Sequence, residues 1–539
     1  MGASTINTSA EIHPPESAAK RRSKKTLDEV LESSPGRYLL IFSLIFAVAE
    51  LCSTSKGPFF IDEIIASYLG DLPSIGQTWP LIARGVELNP PLPFWIMWIV
   101  HHTIGGSEVA GRLPSIAGFW LMCFCLYHFV RRRSSVLFGF AAFLLPLFTY
   151  TQWAAMLARG YGLMLGASAA ALLCWQLAAD RIRRPLALAG LAAGLAVAVS
   201  CHYYALYVPF ALCIGEAVRT WQRRHIDFPV WAALAAGVSP LLAYAPLLRM
   251  ASKGATHNFW ISPDPVLFYE SYADLLGPIT IILFLMLALV SWVGWSGEKP
   301  RWMPATLGSH EVVACLVLMA MPLAIFIPAF AGAIPFYPRY VMPVVIGFTV
   351  VAAVFAYRIG GGSGRFRELV ATLMVWFCFA PWALFQVSKL GLLGTPASQV
   401  ASRFLPPAQP SLPIVMDSEG DLELYYYGSP ELRAKIFYLL DEAAAVKYRG
   451  SDTAMRSIRI MEPYRGLHAV PYRDFIAHHR EFIVLRHSSE GWVVQKVLAD
   501  GARVELVSLQ KDPGFNVKNT LLFRVTFPDP PKLASAPSN

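Results

Sequence analysis

Charge is scarce in this chain. Only 15% of its 539 residues are Asp, Glu, Lys or Arg, against about 25% in ordinary soluble domains. That excludes a solvated globular surface along most of the length. Cysteine is confined as well. All eight (Cys52, Cys123, Cys125, Cys174, Cys201, Cys213, Cys315 and Cys378) fall within or at the edges of apolar runs. They offer no disulfide framework and no zinc motif, and read as small packing residues. No Gly-rich phosphate fingerprint is present; GGGSG at 360–364 reads as a flexible turn. The scattered histidines lack metal-ligand spacing. No internal repeat is visible, which weighs against the paired halves common in transporters.

What is present is apolar. Hydrophobic residues make up 55% of the chain, mean hydropathy is +0.46, and several runs approach the roughly 20 residues that span a bilayer. The fold class expected is a polytopic α-helical membrane protein. Candidate spans are 38–54, 109–130, 135–153, 160–179, 186–203, 204–218, 229–249, 277–296, 310–331, 338–357 and 367–388. Residues 1–37 are polar and read as a disordered cytoplasmic tail. Its Lys20–Lys25 cluster reads as a positive-inside anchor and not as a nucleic-acid site. The late apolar run without a small-residue cleavage site argues against a cleaved signal peptide.

Basic clusters set the sidedness. Arg131–Arg133, Arg181–Arg184, Arg219–Arg224, Lys299/Arg301 and Arg358–Arg367 follow alternate spans. Placing all of them in the cytoplasm gives about eleven spans, with the N-terminus inside and the C-terminus outside. Phe94–Ile104 (FWIMWIVHHTI) is too short to span and is bounded by Pro93 and Gly105. It reads as an interfacial helix anchored by Trp95 and Trp98. His101 and His102 read there as interface anchors. The first outer loop then covers 55–108, and a second covers 250–276. From about 395 to 539 the composition changes to strand-like runs (LPIVMDSEGDLELYYYG, EFIVLRHSSEGWVVQKVL, ARVELVSLQ, TLLFRVTF) and mixed or helical ones (PELRAKIFYLLDEAAAVK, YRDFIAHHREF). That predicts a soluble α/β domain on the outer side.

The first outer loop carries Asp62 and Glu63 side by side, just past the first span. A carboxylate at a membrane surface can accept a proton from an attacking hydroxyl; a charge at a helix N-terminus is the plainer reading. Glu63 either orients a partner or is solvated. Arg159 and Tyr161, in WAAMLARGYGL, fall at the outer end of a span pair, where a cation can cap carbonyls or meet phosphate. His202, in SCHYYAL, closes a span at the same face, as a helix-end histidine or a substrate contact. His257 sits in the second outer loop.

Asp-Glu in the first outer loop, then NPPL, SE…RLPS, ARGY, SCHYY and PRYVMP, in that order, resembles the GT-C glycosyltransferases. More closely, residues 38–390 resemble the bacterial branch related to protein O-mannosyltransferases and the lipid A aminoarabinose transferase. The resemblance implies a GT-C fold and a catalytic acid at Asp62, with Glu63 adjacent. It implies a sugar donor carried on a polyprenyl phosphate and reached from the outer leaflet. Arg339 and Tyr340 of PRYVMP match a segment near the lipid phosphate. Asn89 stands where the aminoarabinose enzyme has a lysine, and Arg159 where that branch has an acid. Both departures point to the broader polyprenyl-sugar branch. Arg159, Tyr161, His202, His257, Arg339 and Tyr340 are thus the expected donor-phosphate and substrate contacts. No metal ligand is assigned, and a divalent metal is optional. The implied protein is a glycosyltransferase of the bacterial inner membrane, a hexosyl- or pentosyltransferase. It acts in the periplasm on lipid A, polysaccharide or protein. A lipid flippase is the rival reading, and a scaffold for envelope assembly a third.

Overall fold

The computed structural model describes residues 27–54, 57–257, 264–277, 307–332, 334–360, 411–417, 422–487, 491–511 and 519–528, with single residues at 288, 382 and 383. The expected spans 277–296 and 367–388, most of the N-terminal tail, the turn at 361–364 and the side chain of His257 lie outside the described residues.

The chain is mostly helical. Among the described residues, Pro35–Thr54, Glu108–Arg131, Tyr161–Ala179 and Arg184–Cys201 are long and apolar enough to cross a membrane. Two bent pairs raise the number to six if each is one span: Phe228–Ala243 with Ala245–Ala251, bent by 65°, and Ser309–Met319 with Met321–Phe330, bent by 41°. Proline explains both bends. Pro240 and Pro246 flank the first break and Pro322 follows the second, and each lacks the N–H that would continue the helical ladder. The expected span 135–153 is corrected. Helix Val136–Leu144 gives way to 3-10 turns at Leu145–Phe148 and Tyr150–Met156. Pro146 stops the α-helical pattern at that point. Phe94–Ile104 forms a 12-residue helix, Leu92–Thr103, too short to span.

Glycine sets the closest helix crossing. A Cβ on Gly162 would lie 2.2 Å from the Ser115 carbonyl oxygen, and one on Gly166 would lie 2.2 Å from that of Gly118. Glu108–Arg131 and Tyr161–Ala179 therefore meet backbone to backbone, as small residues spaced by four allow in membranes. The outer side of Pro35–Thr54 stays bare, with Leu40, Leu44 and Val48 more than half exposed, as a lipid-facing surface would be.

Among the described residues, three of the basic clusters, around Arg132–Arg133, Arg184 and Arg219, are held in ion pairs at one end of this bundle. Arg133 grips Glu311 with Nε and Nη2, at 2.7–3.1 Å. Arg132 and Arg133 share Asp180 at 2.7 and 3.0 Å. Arg219 bonds Glu216 at 2.6 Å and Asp227 at 3.1 Å, and Arg184 also reaches Asp227. Arg112, Arg159 and His202 lie in or beside the opposite ends of the helices Glu108–Arg131, Tyr161–Ala179 and Arg184–Cys201. Glu108–Arg131 has 24 residues, so the two ends are roughly 36 Å apart.

The C-terminal part builds a six-stranded sheet from β1 (Ile414–Met416), β2 (Ile436–Leu440), β3 (Ala469–Pro471), β4 (Glu481–His487), β5 (Arg503–Lys511) and β6 (Asn519–Thr526), in the order β3-β2-β1-β4-β6-β5. The first four are parallel; β6 runs antiparallel to β4 and β5. Side chains alternate across it, as the pleat demands. Ile414, Met416, Tyr438, Ile483 and Leu485 enter one core, and Val415, Leu439, Phe482 and Val484 the other. Two strand-like runs are corrected. LELYYY is a helix, Leu422–Tyr427, and VVQKVLA is a helix, Val493–Ala499. In the second, Asp417 at the end of β1 accepts the Val493 N–H at 2.6 Å. That capping contact overrides the strand preference of a Val-rich run.

The two parts share a core. Phe59, Ile64, Tyr68 and Leu69 of the first outer segment pack with Ile414, Tyr425, Ile458 and Met461 of the C-terminal part.

Candidate active site

The expected outer loop 55–108 is largely helical. Ile61–Gly70 is its first helix, and Asp62 and Glu63 occupy that helix's first turn. Negative charge is stabilised there by the free N–H groups of a helix start. The two acids diverge because successive helical residues point about 100° apart.

Glu63 turns inward and its side chain is 1% exposed. Arg112 meets it in a fork, Nε to Oε1 and Nη2 to Oε2, both at 2.9 Å. The Ala158 N–H donates to Oε1 at 2.7 Å and the Phe60 N–H to Oε2 at 3.1 Å. Arg112 also donates to the carbonyls of Thr54, Gly57 and Pro58. Glu63, grouped with Asp62 as a catalytic residue in the sequence reading, is buried here with four protein donors on its two oxygens.

Asp62 keeps 25% of its side-chain surface accessible. Its Oδ2 lies 3.1 Å from Arg339 Nη1. Arg159 donates to its backbone carbonyl at 3.1 Å. Burial pushes the Asp62 carboxyl up, but Arg339 and Arg159 outweigh it and hold the acid below the usual carboxylate range. It is a stable anion beside two cations.

Arg159 is the better buried of the two arginines, with 6% of its side chain exposed. Its Nη1 bonds Glu87 Oε2 at 2.7 Å, and its guanidinium lies over the Phe94 ring. Burial works against its charge, while Glu87 and Asp62 hold it more firmly protonated than usual. Glu87 was missed at the sequence level. The signal was available: an acid two residues before Asn89-Pro90 in the same outer segment. Its other oxygen accepts from the Leu88 N–H and from Asn89 Nδ2, both at 3.0 Å.

An aromatic wall completes the site. The His202 ring lies 5.6 Å from Tyr161 and 5.2 Å from Tyr340, and Tyr340 stacks on Tyr204 at 5.3 Å. His202 is buried, and its Nδ1 accepts the Tyr204 N–H at 3.3 Å. Burial, reinforced by Arg159 and Arg339, pushes its imidazole down to about 3, so it is a neutral acceptor here. An open cleft of about 470 Å³ runs between Asn89, Pro93, Phe94, Arg159, Tyr161 and His202. Asp62, Arg159, Tyr161, His202, Arg339 and Tyr340 are thus brought together. His257 ends the helix Ala245–His257. The expected loop 250–276 is helical over 250–257 and again over 265–277. Among the described residues, no three His, Cys, Asp or Glu side chains gather as a metal site.

Residues 88–248 match the family described as dolichyl-phosphate-mannose-protein mannosyltransferase. The structure resembles ArnT from Cupriavidus metallidurans in the apo state, with TM-score 0.55 and 15% identity over 91% of this chain and 98% of that one. The same protein bound to undecaprenyl phosphate matches with TM-score 0.55, 15% identity, and 90% and 98% coverage. The chain shares the fold of this ArnT structure along nearly its whole length. An oligosaccharyltransferase of Archaeoglobus fulgidus is more distant, with TM-score 0.42 and 10% identity over 84% of this chain and 70% of that one. No curated protein matches by sequence.

Proposed function

We propose that this protein transfers a sugar from a polyprenyl phosphate of the undecaprenyl type to a hydroxyl of an envelope acceptor. The observation that carries the reading is Asp62, a partly open carboxylate paired with Arg339, whose backbone carbonyl is held by Arg159, a residue that lines the cleft. The matched family and the undecaprenyl phosphate held by the ArnT neighbour support the donor class.

The reaction is one displacement at the anomeric carbon. The acceptor oxygen attacks that carbon while its proton passes to Asp62. The bond from the carbon to the phosphate oxygen breaks, and polyprenyl phosphate leaves as a stable anion. Such a leaving group requires cations in place of the acid that a glycosidase supplies. Arg339 is the more accessible guanidinium and is the proposed phosphate partner. Arg159 is held by Glu87 and orients the Asp62 turn. Tyr161, Tyr340 and neutral His202 line the sugar's path. The basic network at the far end fits the cytoplasmic side by the positive-inside rule, which supports a periplasmic site and sheet.

The test is reconstitution in nanodiscs with undecaprenyl-phosphate monosaccharides and envelope extracts as acceptors. Release of undecaprenyl phosphate coupled to a new glycosidic bond is expected. Lipid movement across liposomes without bond formation would establish the flippase reading instead.

A further inference from the structure

The residues just before Asp62 have their polar backbone groups held from two sides. Arg112 takes the carbonyls of Gly57 and Pro58 at 2.7 and 3.0 Å, from the membrane part. The Phe59 N–H points the other way and donates to the phenol oxygen of Tyr427 at 2.7 Å. The same phenol donates to Glu108 Oε1 at 2.9 Å, at the start of the second span. One hydroxyl therefore ties together the C-terminal part, the entry to the Asp62 helix and the second span. Its neighbours extend the contact. The Tyr426 hydroxyl lies 3.1 Å from Ser67 Oγ, and Arg465 bonds the Tyr68 carbonyl and stacks over the Tyr68 ring at 4.8 Å. The helix Ile61–Gly70 is thus gripped before its first turn and along its second half.

We propose that Tyr427 is a positioning residue for Asp62. The C-terminal part then acts as a clamp that sets the base, through Phe59, against Arg339. This rests on Asp62 being the base. Removing the acceptor of a buried backbone donor costs more than the bond itself contributes, because the donor is left without a partner. Phe59 is fully buried, so water does not readily replace the phenol. Burial raises the Tyr427 phenol well above its ordinary value, which keeps it protonated as the donor to Glu108.

The experiment uses the full-length protein in nanodiscs and compares Tyr427→Phe, Glu108→Gln and Asp62→Asn. Two readouts apply: amide hydrogen exchange at residues 57–64, and release of undecaprenyl phosphate from undecaprenyl-phosphate monosaccharides as a function of pH. Tyr427→Phe keeps the ring and its packing. It is expected to speed exchange at Phe59 by about tenfold or more, and to lower kcat by about tenfold with KM for the donor within about twofold. The acid limb of kcat should move to higher pH as the Asp62–Arg339 pair loosens. Glu108→Gln should move each readout the same way by less, because a neutral acceptor still receives the phenol proton. Wild-type exchange at Phe59, or a kcat and acid limb like wild type, overturns the proposal, even if the variant melts at a lower temperature. If Asp62→Asn transfers at the wild-type rate, the underlying base assignment falls. If Asp62→Asn is inactive while Tyr427→Phe is unchanged, the positioning role alone falls.

Discussion

The carboxylate of Asp62 and the guanidinium of Arg339 meet at 3.1 Å, although one lies just past the first span and the other near the end of the described bundle. Few sequence features join them. Their contact sets a carboxylate and a cation within one hydrogen bond.

Asp62→Asn keeps the shape and removes the proton acceptor. Transfer should fall by about 10²–10⁴-fold, the range for losing a general base. Arg339 loses its anionic neighbour, so undecaprenyl phosphate should bind at least as tightly as to wild type. Turnover and lipid titration on the same preparation check both halves.

The two arginines should respond differently. Arg159→Met strands Glu87, a largely buried carboxylate, and should destabilise the protein by about 3–5 kcal/mol. Arg159→Met with Glu87→Gln should recover much of that stability without recovering transfer. Arg339→Met should cost less stability and raise the donor KM. Thermal melts paired with steady-state kinetics separate these outcomes.

The sign of the pH response follows from the lowered Asp62 acidity. Asp62 ionises below the ordinary carboxylate value of about 3.9. Its contribution is complete above that value and is lost as pH falls through the lowered one. In wild type, Asp62 should therefore leave kcat/KM flat between about pH 5 and 8. In Arg339→Met the acid limb should shift to higher pH.

His202 acts on stability in a different window. Its imidazole is pushed down from 6.5 to about 3, so below pH 6.5 the unfolded chain binds the proton that the folded chain refuses. Stability from this group is present above 6.5 and is lost as pH falls toward 3. His202→Gln should flatten the decline in melting temperature over that range. An unchanged pH slope would show that the ring is protonated in place.

Arg112→Lys should fail to replace arginine. Arg112 serves both oxygens of Glu63 and three backbone carbonyls, which a single ammonium cannot reach. The buried Glu63 would lose its fork, and the folded yield should drop. Glu63→Gln with Arg112→Gln should restore more folded protein than Arg112→Lys, as size-exclusion profiles would show.

The sequence by itself determined several of the apolar helices and the change to strands in the C-terminal part. These follow from local hydropathy, charge and period-two alternation, which act over short windows. It also pointed to Asp62, Arg159, His202 and Arg339 through the order of short motifs. Only the tertiary structure divided Asp62 from Glu63, because a one-residue step on a helix sends one acid to Arg339 and the other to Arg112. Only the tertiary structure added Glu87 and Tyr427, whose roles depend on partners 72 and 368 residues away. It also turned LELYYY and VVQKVLA into helices, since capping and docking outweigh the strand preference of a short apolar run. Burial and ion pairing are properties of neighbours in space, and at this site those neighbours come from distant parts of the chain.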